Sequence, residues 1–102
     1  MTIFEVLKST GLPCSYAKFR GKNKPKTPPY LVYIGEGQDD FTADNSYFWR
    51  RNRYRIEYYF TAKDEDTEAK IEKTLLDNGL LYDKSEDVYV EGEDVFVIYY
   101  NI

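Results

Sequence analysis

The chain has 102 residues with a net charge of −4, one cysteine and no histidine. That length suits one small domain with a limited core, because such a chain buries roughly 60–70% of its unfolded surface. Without histidine there is no His-based triad, no imidazole general base and no ordinary zinc site. Cys14 permits no internal disulfide and has no His partner to activate it.

From the N-terminus, Thr2 and Glu5 have the spacing of a capping box, and Ile3, Val6 and Leu7 give the short helix that follows an apolar face. Gly11 ends this helix and Pro13 prevents its return. Cys14 and Tyr16 alternate with polar residues as a short strand. Lys18, Arg20, Lys22, Lys24 and Lys26 then form a basic loop leading to Pro28 and Pro29. YLVYI (30–34) is a strand whose continuous apolar run suits burial on both faces or an edge of wet tyrosines.

A long polar hairpin loop is expected next, GEGQDDFTADNSYFWRRN (35–52), acidic at its front and basic at its back. RYRIEYYF (53–60) follows as the clearest strand, with Tyr54, Ile56, Tyr58 and Phe60 on one face. Asp64 opens a second helix with Glu65, Asp66 and Glu68 near its positive end. Ile71, Leu75 and Leu76 form its expected buried stripe, and Gly79 its stop. Residues 81–90 and 95–102 read as a closing hairpin turning at 91–94, with Phe96, Ile98, Tyr100 and Ile102 on one face. IFEVLKSTGLPCSY and KIEKTLLDNGLLYD echo each other as helix, Gly-Leu, strand. The expected fold is a single α+β domain over residues 1–102. An antiparallel sheet carries two helices on one face, in the order α-β-β-β-α-β-β.

Aromatic residues make up 18% of the chain, with 11 tyrosines, a composition suited to Tyr-rich strands and to interfaces. Charge is divided along the sequence. Residues 1–55 hold ten Lys/Arg and five Asp/Glu (+5), and residues 56–102 hold four and thirteen (−9). Opposite halves of this kind fit head-to-tail contacts between subunits. The net negative charge argues against a general nucleic-acid binder.

Little here suggests an enzyme. Gly35-Glu36-Gly37 lacks the Lys-Ser/Thr of a phosphate loop. Glu36, Asp39, Asp40 and Asp44 offer oxygen ligands but not the spacing of a calcium loop, so neither metal nor cofactor is expected. Phe48, Trp49, Arg50, Arg51 and Arg53 are types that stack on bases and track phosphates, that anchor a loop, or that form interface hot spots. The interface reading takes Asp39, Asp40, Phe41, Asp44, Phe48, Trp49, Arg50, Arg51 and Arg53 as its candidate residues, with the arginines meeting an acidic surface of a neighbour. No apolar run approaches 18 residues and no N-terminal signal segment is evident, so a soluble protein made in a reducing cytoplasm is expected.

The motifs GLP-x-x-Y-x-x-F, PPYLVYIGEGQ, ADN, YRIEYYFT-x-K, NGLLY and KSEDVYVE span nearly the whole chain. Together they resemble the tail-completion and tail-terminator proteins of long-tailed phages and prophages of Gram-positive bacteria. The resemblance implies a non-enzymatic virion protein at the head–tail junction, assembled in the host cytoplasm. It implies a homo-oligomeric, commonly hexameric, ring touching tail-tube and head-connector proteins, with no membrane and no specific nucleic acid. It also implies that residues 39–45 project from the sheet and residues 48–51 lie at a ring or tube contact. A head-side connector or stopper, a small host-protein binder and a single-strand binder are the alternative readings. This chain is shorter than typical members of the group.

Overall fold

The computed structural model describes the backbone of residues 2–18, 27–43 and 47–102, and the side chains of these residues outside 38–51. The elements are α1 (Ile3–Lys8), β1 (Cys14–Tyr16), β2 (Tyr30–Ala43), β3 (Tyr47–Phe60), α2 (Glu65–Asp77), β4 (Asp83–Lys84), β5 (Val88–Val90) and β6 (Val95–Asn101). Six strands form one sheet in the order β1-β2-β3-β6-β4, with β5 also pairing β6. Every pairing is antiparallel except β1 with β2, which is parallel.

Both helices begin as their sequences dictate. The Glu5 N–H donates to Thr2 Oγ1 at 3.2 Å and the Thr2 N–H donates to Glu5 Oε1 at 3.1 Å, closing the capping box. Asp64 accepts from the N–H groups of Asp66 and Thr67 at 3.1 and 3.3 Å. At the far end of α2 the chain turns through Gly79 at φ +75°, a conformation that favours glycine. There the Leu80 N–H reaches the Leu75 carbonyl at 2.9 Å and the Gly79 N–H reaches Leu76 at 3.0 Å, a Schellman stop.

The core lies between the helices and one face of the sheet. Val6 and Leu7 of α1 and Ile71 and Leu75 of α2 pack with Leu31, Ile56, Tyr58, Phe60, Ile98, Tyr100 and Ile102. The alternation read in β3 and β6 is the alternation observed, since Tyr58 faces Ile98 and Ile56 faces Tyr100 in the register. Leu31 and its neighbour Val32 are both buried, so the YLVYI run is covered on both faces. Each fully buried aliphatic side chain contributes about 1.5–3 kcal/mol of transfer free energy.

Three details differ from the sequence expectation. Leu76 is 50% exposed, and the third position of the α2 stripe belongs to Glu68. The step of 100° per residue turns Leu76 off the face that Glu68, Ile71 and Leu75 share. The single strand expected over residues 81–90 is split into β4 and β5, because the register against β6 shifts by one residue between Lys84 and Val88. Ser85 spans this bulge: its N–H donates to the Tyr99 carbonyl at 2.9 Å and its Oγ accepts from the Tyr99 N–H at 2.8 Å. The long polar loop is the third difference: most of it continues as paired strand.

The internal echo corresponds to two helix–Gly–Leu–strand units that end on opposite edges of the sheet, β1 and β4. Their strands differ in sense, since β1 joins its neighbour in parallel and β4 in antiparallel fashion. The recurrence is one of local chain geometry.

Candidate functional site

The candidate residues lie on an arm that leaves the sheet. β2 and β3 are each 14 residues long, but the rest of the sheet accompanies them only partway. β1 ends beside Tyr33, and β6 ends beside Arg55, with one further backbone pair between Ile102 and Tyr54. Beyond these points the two strands run on as a ribbon, and among the described residues no third strand pairs with it. The molecule accordingly measures 52 × 29 × 26 Å, and its radius of gyration is 15.2 Å. A compact domain of this length has about 13 Å.

A bulge marks the root of the arm. The register shifts by one residue between Gly35 and Gln38, and Gly37 sits there at φ +88°. An extra residue on one strand bends it and increases its twist, which re-aims everything beyond. Past the bulge, Asp39 lies opposite Arg51, Asp40 opposite Arg50, Phe41 opposite Trp49 and Thr42 opposite Phe48. The acidic front and basic back of this segment are therefore the two facing strands of one ribbon. Cross-strand neighbours of opposite charge favour such pairing. Arg53 stands exposed at the root, across from the bulge. Asp44, the remaining candidate, lies outside the described residues, as does part of the 39–45 segment expected to project.

A row of aromatic rings crosses the sheet beneath the arm. Tyr33 is its centre, with Tyr16 at 5.2 Å edge-on, Tyr54 at 6.2 Å and Phe4 at 6.4 Å between centroids. Tyr16 is 55% exposed and Phe4 38%. The Gly35 N–H points to the Tyr16 hydroxyl at 3.4 Å, tying the row to the bulge. Beside the row is an open groove of about 540 Å³. Its walls are Ile3, Val6, Tyr54, Leu80 and Ile102, with Thr2, Asn52 and Asn78 supplying polar groups. Large aromatic surface with polar tips is the surface type enriched at protein interfaces.

The opposite sheet face carries a second tyrosine layer. Tyr30 and Tyr59 stack at 5.1 Å, and the Tyr59 hydroxyl donates to Glu57 Oε1 at 2.6 Å. Arg55 bonds the other Glu57 oxygen at 3.1 Å and lies over the Tyr99 ring at 5.5 Å. Burial, then the bond to the Glu57 carboxylate, pushes the Tyr59 hydroxyl well above its ordinary pKa.

Cys14 is half-buried, and burial pushes its thiol up to about 11. It is thus protonated at neutral pH, the opposite of an activated nucleophile. Among the described residues no set of three His, Cys, Asp or Glu is arranged to hold a metal ion. Glu36 of the acidic quartet is exposed on the bulge, and Asp39 and Asp40 follow it along β2.

One polar cluster escaped the sequence reading. Glu68, 3% exposed, receives Lys84 Nζ at 2.9 Å on Oε1, while Lys63 Nζ stands 2.7 Å from Oε2 in an ion pair without hydrogen-bond alignment. Lys84 also meets Glu72 Oε2 at 2.9 Å, where Tyr100 donates at 2.8 Å; Tyr82 donates to Oε1 at 3.2 Å. Burial raises the Glu72 pKa, and the bonds from Lys84 and Tyr100 outweigh it, leaving the carboxyl below its ordinary value. The signal was present in the spacing, since residues 68, 71, 72 and 75 share a helical face. The cluster ties α2 to β4 and β6, and its cations and anions largely satisfy one another.

No family model, curated protein or solved structure matches the chain.

Proposed function

We propose that this chain is a non-enzymatic structural subunit of a phage or prophage particle, a tail-completion or tail-terminator protein at the head–tail junction. The motif resemblance across nearly the whole chain supplies the family. The observation that carries the assembly part of the reading is the arm. A two-stranded ribbon leaves a small α+β domain, and an isolated ribbon is marginally stable in water by itself. Packing on another chain would supply the missing contacts. The aromatic row at its root, with Tyr16 and Phe4 exposed, offers a second contact surface on the same end of the sheet.

In this reading the subunit forms a homo-oligomeric ring, takes no cofactor, and joins the tail tube to the head connector. The test is complementation. In the phage or prophage that encodes this chain, disrupting the gene should leave heads and tails unjoined, and adding the purified protein to that lysate should restore joined particles. Joined, infectious particles formed without the protein would overturn the reading.

A further inference from the structure

We propose that the arms of neighbouring copies join edge to edge, with β2 of one copy against β3 of the next, in a continuous up-and-down sheet. The inference rests on the assembly reading above and names the surface that carries it. Among the described residues the ribbon has two strand edges with no further strand beside them. An edge of this length is a template for adding another strand, and proteins ordinarily blunt it.

The charges choose the partner edge. The β2 edge carries Asp39 and Asp40, and the β3 edge carries Arg50 and Arg51. Pairing β2 with a second β2 sets acid against acid, and pairing β3 with a second β3 sets base against base. Like charges placed opposite one another are destabilising. Pairing β2 with the β3 of another copy repeats the arrangement already present inside each arm, where Asp39 faces Arg51 and Asp40 faces Arg50. The occupant that fits each edge is therefore a second copy of this chain, in the head-to-tail sense only.

The strand directions agree. β2 and β3 are antiparallel within the arm, so adding the next copy's β2 antiparallel to β3 leaves all arms pointing the same way. A contact of this kind is heterologous; it closes into a ring when the rotation allows and otherwise grows as a filament. A closed ring of arms is a barrel and leaves no strand edge open.

The test preserves pairing within each arm. The fourfold swap D39R/D40R/R50D/R51D keeps opposite charges facing inside the arm, and between copies of itself. It sets like charges together wherever it meets the wild type. The swapped protein should assemble as the wild type does, and a mixture followed by native mass spectrometry should sort into separate oligomers. Mixed oligomers in statistical proportion would overturn the proposal, as would a wild type that stays monomeric at the highest concentration reached. A second pair makes the complementary case. D39K/D40K and R50E/R51E each set like charges inside the arm and between copies, so each should lose assembly alone and regain it when mixed one to one. A mixture that stays unassembled while amide exchange shows both arms still paired would also overturn the proposal. Rings that persist in all variants would reject edge pairing and leave the ring reading standing. Arm-linked filaments in place of rings would support edge pairing and reject the ring.

Discussion

Asp40 and Arg50 occupy facing positions on the two strands of the arm, and Asp39 and Arg51 repeat the relationship one step nearer the root. Read along the chain, these residues form an acidic run and, ten residues later, a basic run. Folded, they occupy facing positions, acid on one strand and base on the other. Reversing one side alone should therefore weaken the arm itself. R50E/R51E should speed amide exchange in residues 38–43 and 47–52 and leave exchange in α2 and β6 unchanged. Uniform exchange across the protein would show that the arm is not a separable unit.

The arm also separates from the core in its tolerance of strain. Gly37 and Gly79 both have positive φ, +88° and +75°, and a Cβ added at either would meet nothing within 4 Å. An alanine at each carries only the backbone penalty, about 1 kcal/mol or somewhat more. Gly79→Ala should lower the global unfolding free energy by that amount, because Gly79 ends a helix that packs on the core. Gly37→Ala should leave the global value nearly unchanged and shift the arm alone. Equal losses in denaturant titrations would contradict this division.

Glu68 is a buried charge held by two lysines. Glu68→Gln keeps the volume and removes the charge, leaving Lys63 and Lys84 without their shared anion. A loss of about 1–3 kcal/mol is expected, whereas exposed Asp66→Asn should change stability by less than about 0.5 kcal/mol. Chemical denaturation of both variants checks the contrast.

Tyr100 and Glu72 join β6 to α2 at 2.8 Å. Tyr100→Phe removes a bond to a charged acceptor and should cost about 1.5–3 kcal/mol. Combined with Glu72→Gln, the double-mutant cycle should give a coupling of at least about 0.5 kcal/mol. Additive losses would mean that the hydroxyl and carboxylate act independently.

The same cluster sets a pH dependence. The folded Glu72 carboxyl lies below its ordinary value of 4.5, so its contribution is present above that pH and is lost as pH falls through the folded pKa. For Lys84, burial lowers the pKa but the bonds to Glu72 and Glu68 raise it above the ordinary 10.5. Its contribution is full below pH 10.5 and is lost as pH rises beyond. Stability should therefore fall on both sides of a broad plateau, and Glu72→Gln should flatten the acid limb. An acid limb unchanged in that variant would place its origin elsewhere.

The chain made most of this fold legible. Helix caps and glycine stops are local chemistry, so Thr2, Glu5, Asp64 and Gly79 could be placed from the sequence alone. Strand faces followed from strict alternation in residues 54–60 and 96–102. Residue propensity marks the arm as a loop because Asp, Asn, Gly and Ser are turn residues, and propensity does not register the benefit of facing charges. In the sequence Glu68 reads as helix-end charge because the dipole alone explains it, and the lysines that pair with it stand at positions 63 and 84. The aromatic row at the arm root unites Phe4, Tyr16, Tyr33 and Tyr54 from four segments of the chain, which the sheet register and the packing of α1 bring together.

The most direct measurement is solution mass by light scattering on the intact protein and on a variant in which residues 38–51 are replaced by a short turn, with negative-stain images of both. β1 and β6 pair with β2 and β3 only at residues 31–33 and 55–60, outside that segment, so the shortened protein should fold. The account predicts closed rings for the intact chain at high concentration and a folded monomer for the shortened one. An intact chain that remains monomeric throughout, or a shortened chain that assembles equally well, would contradict it.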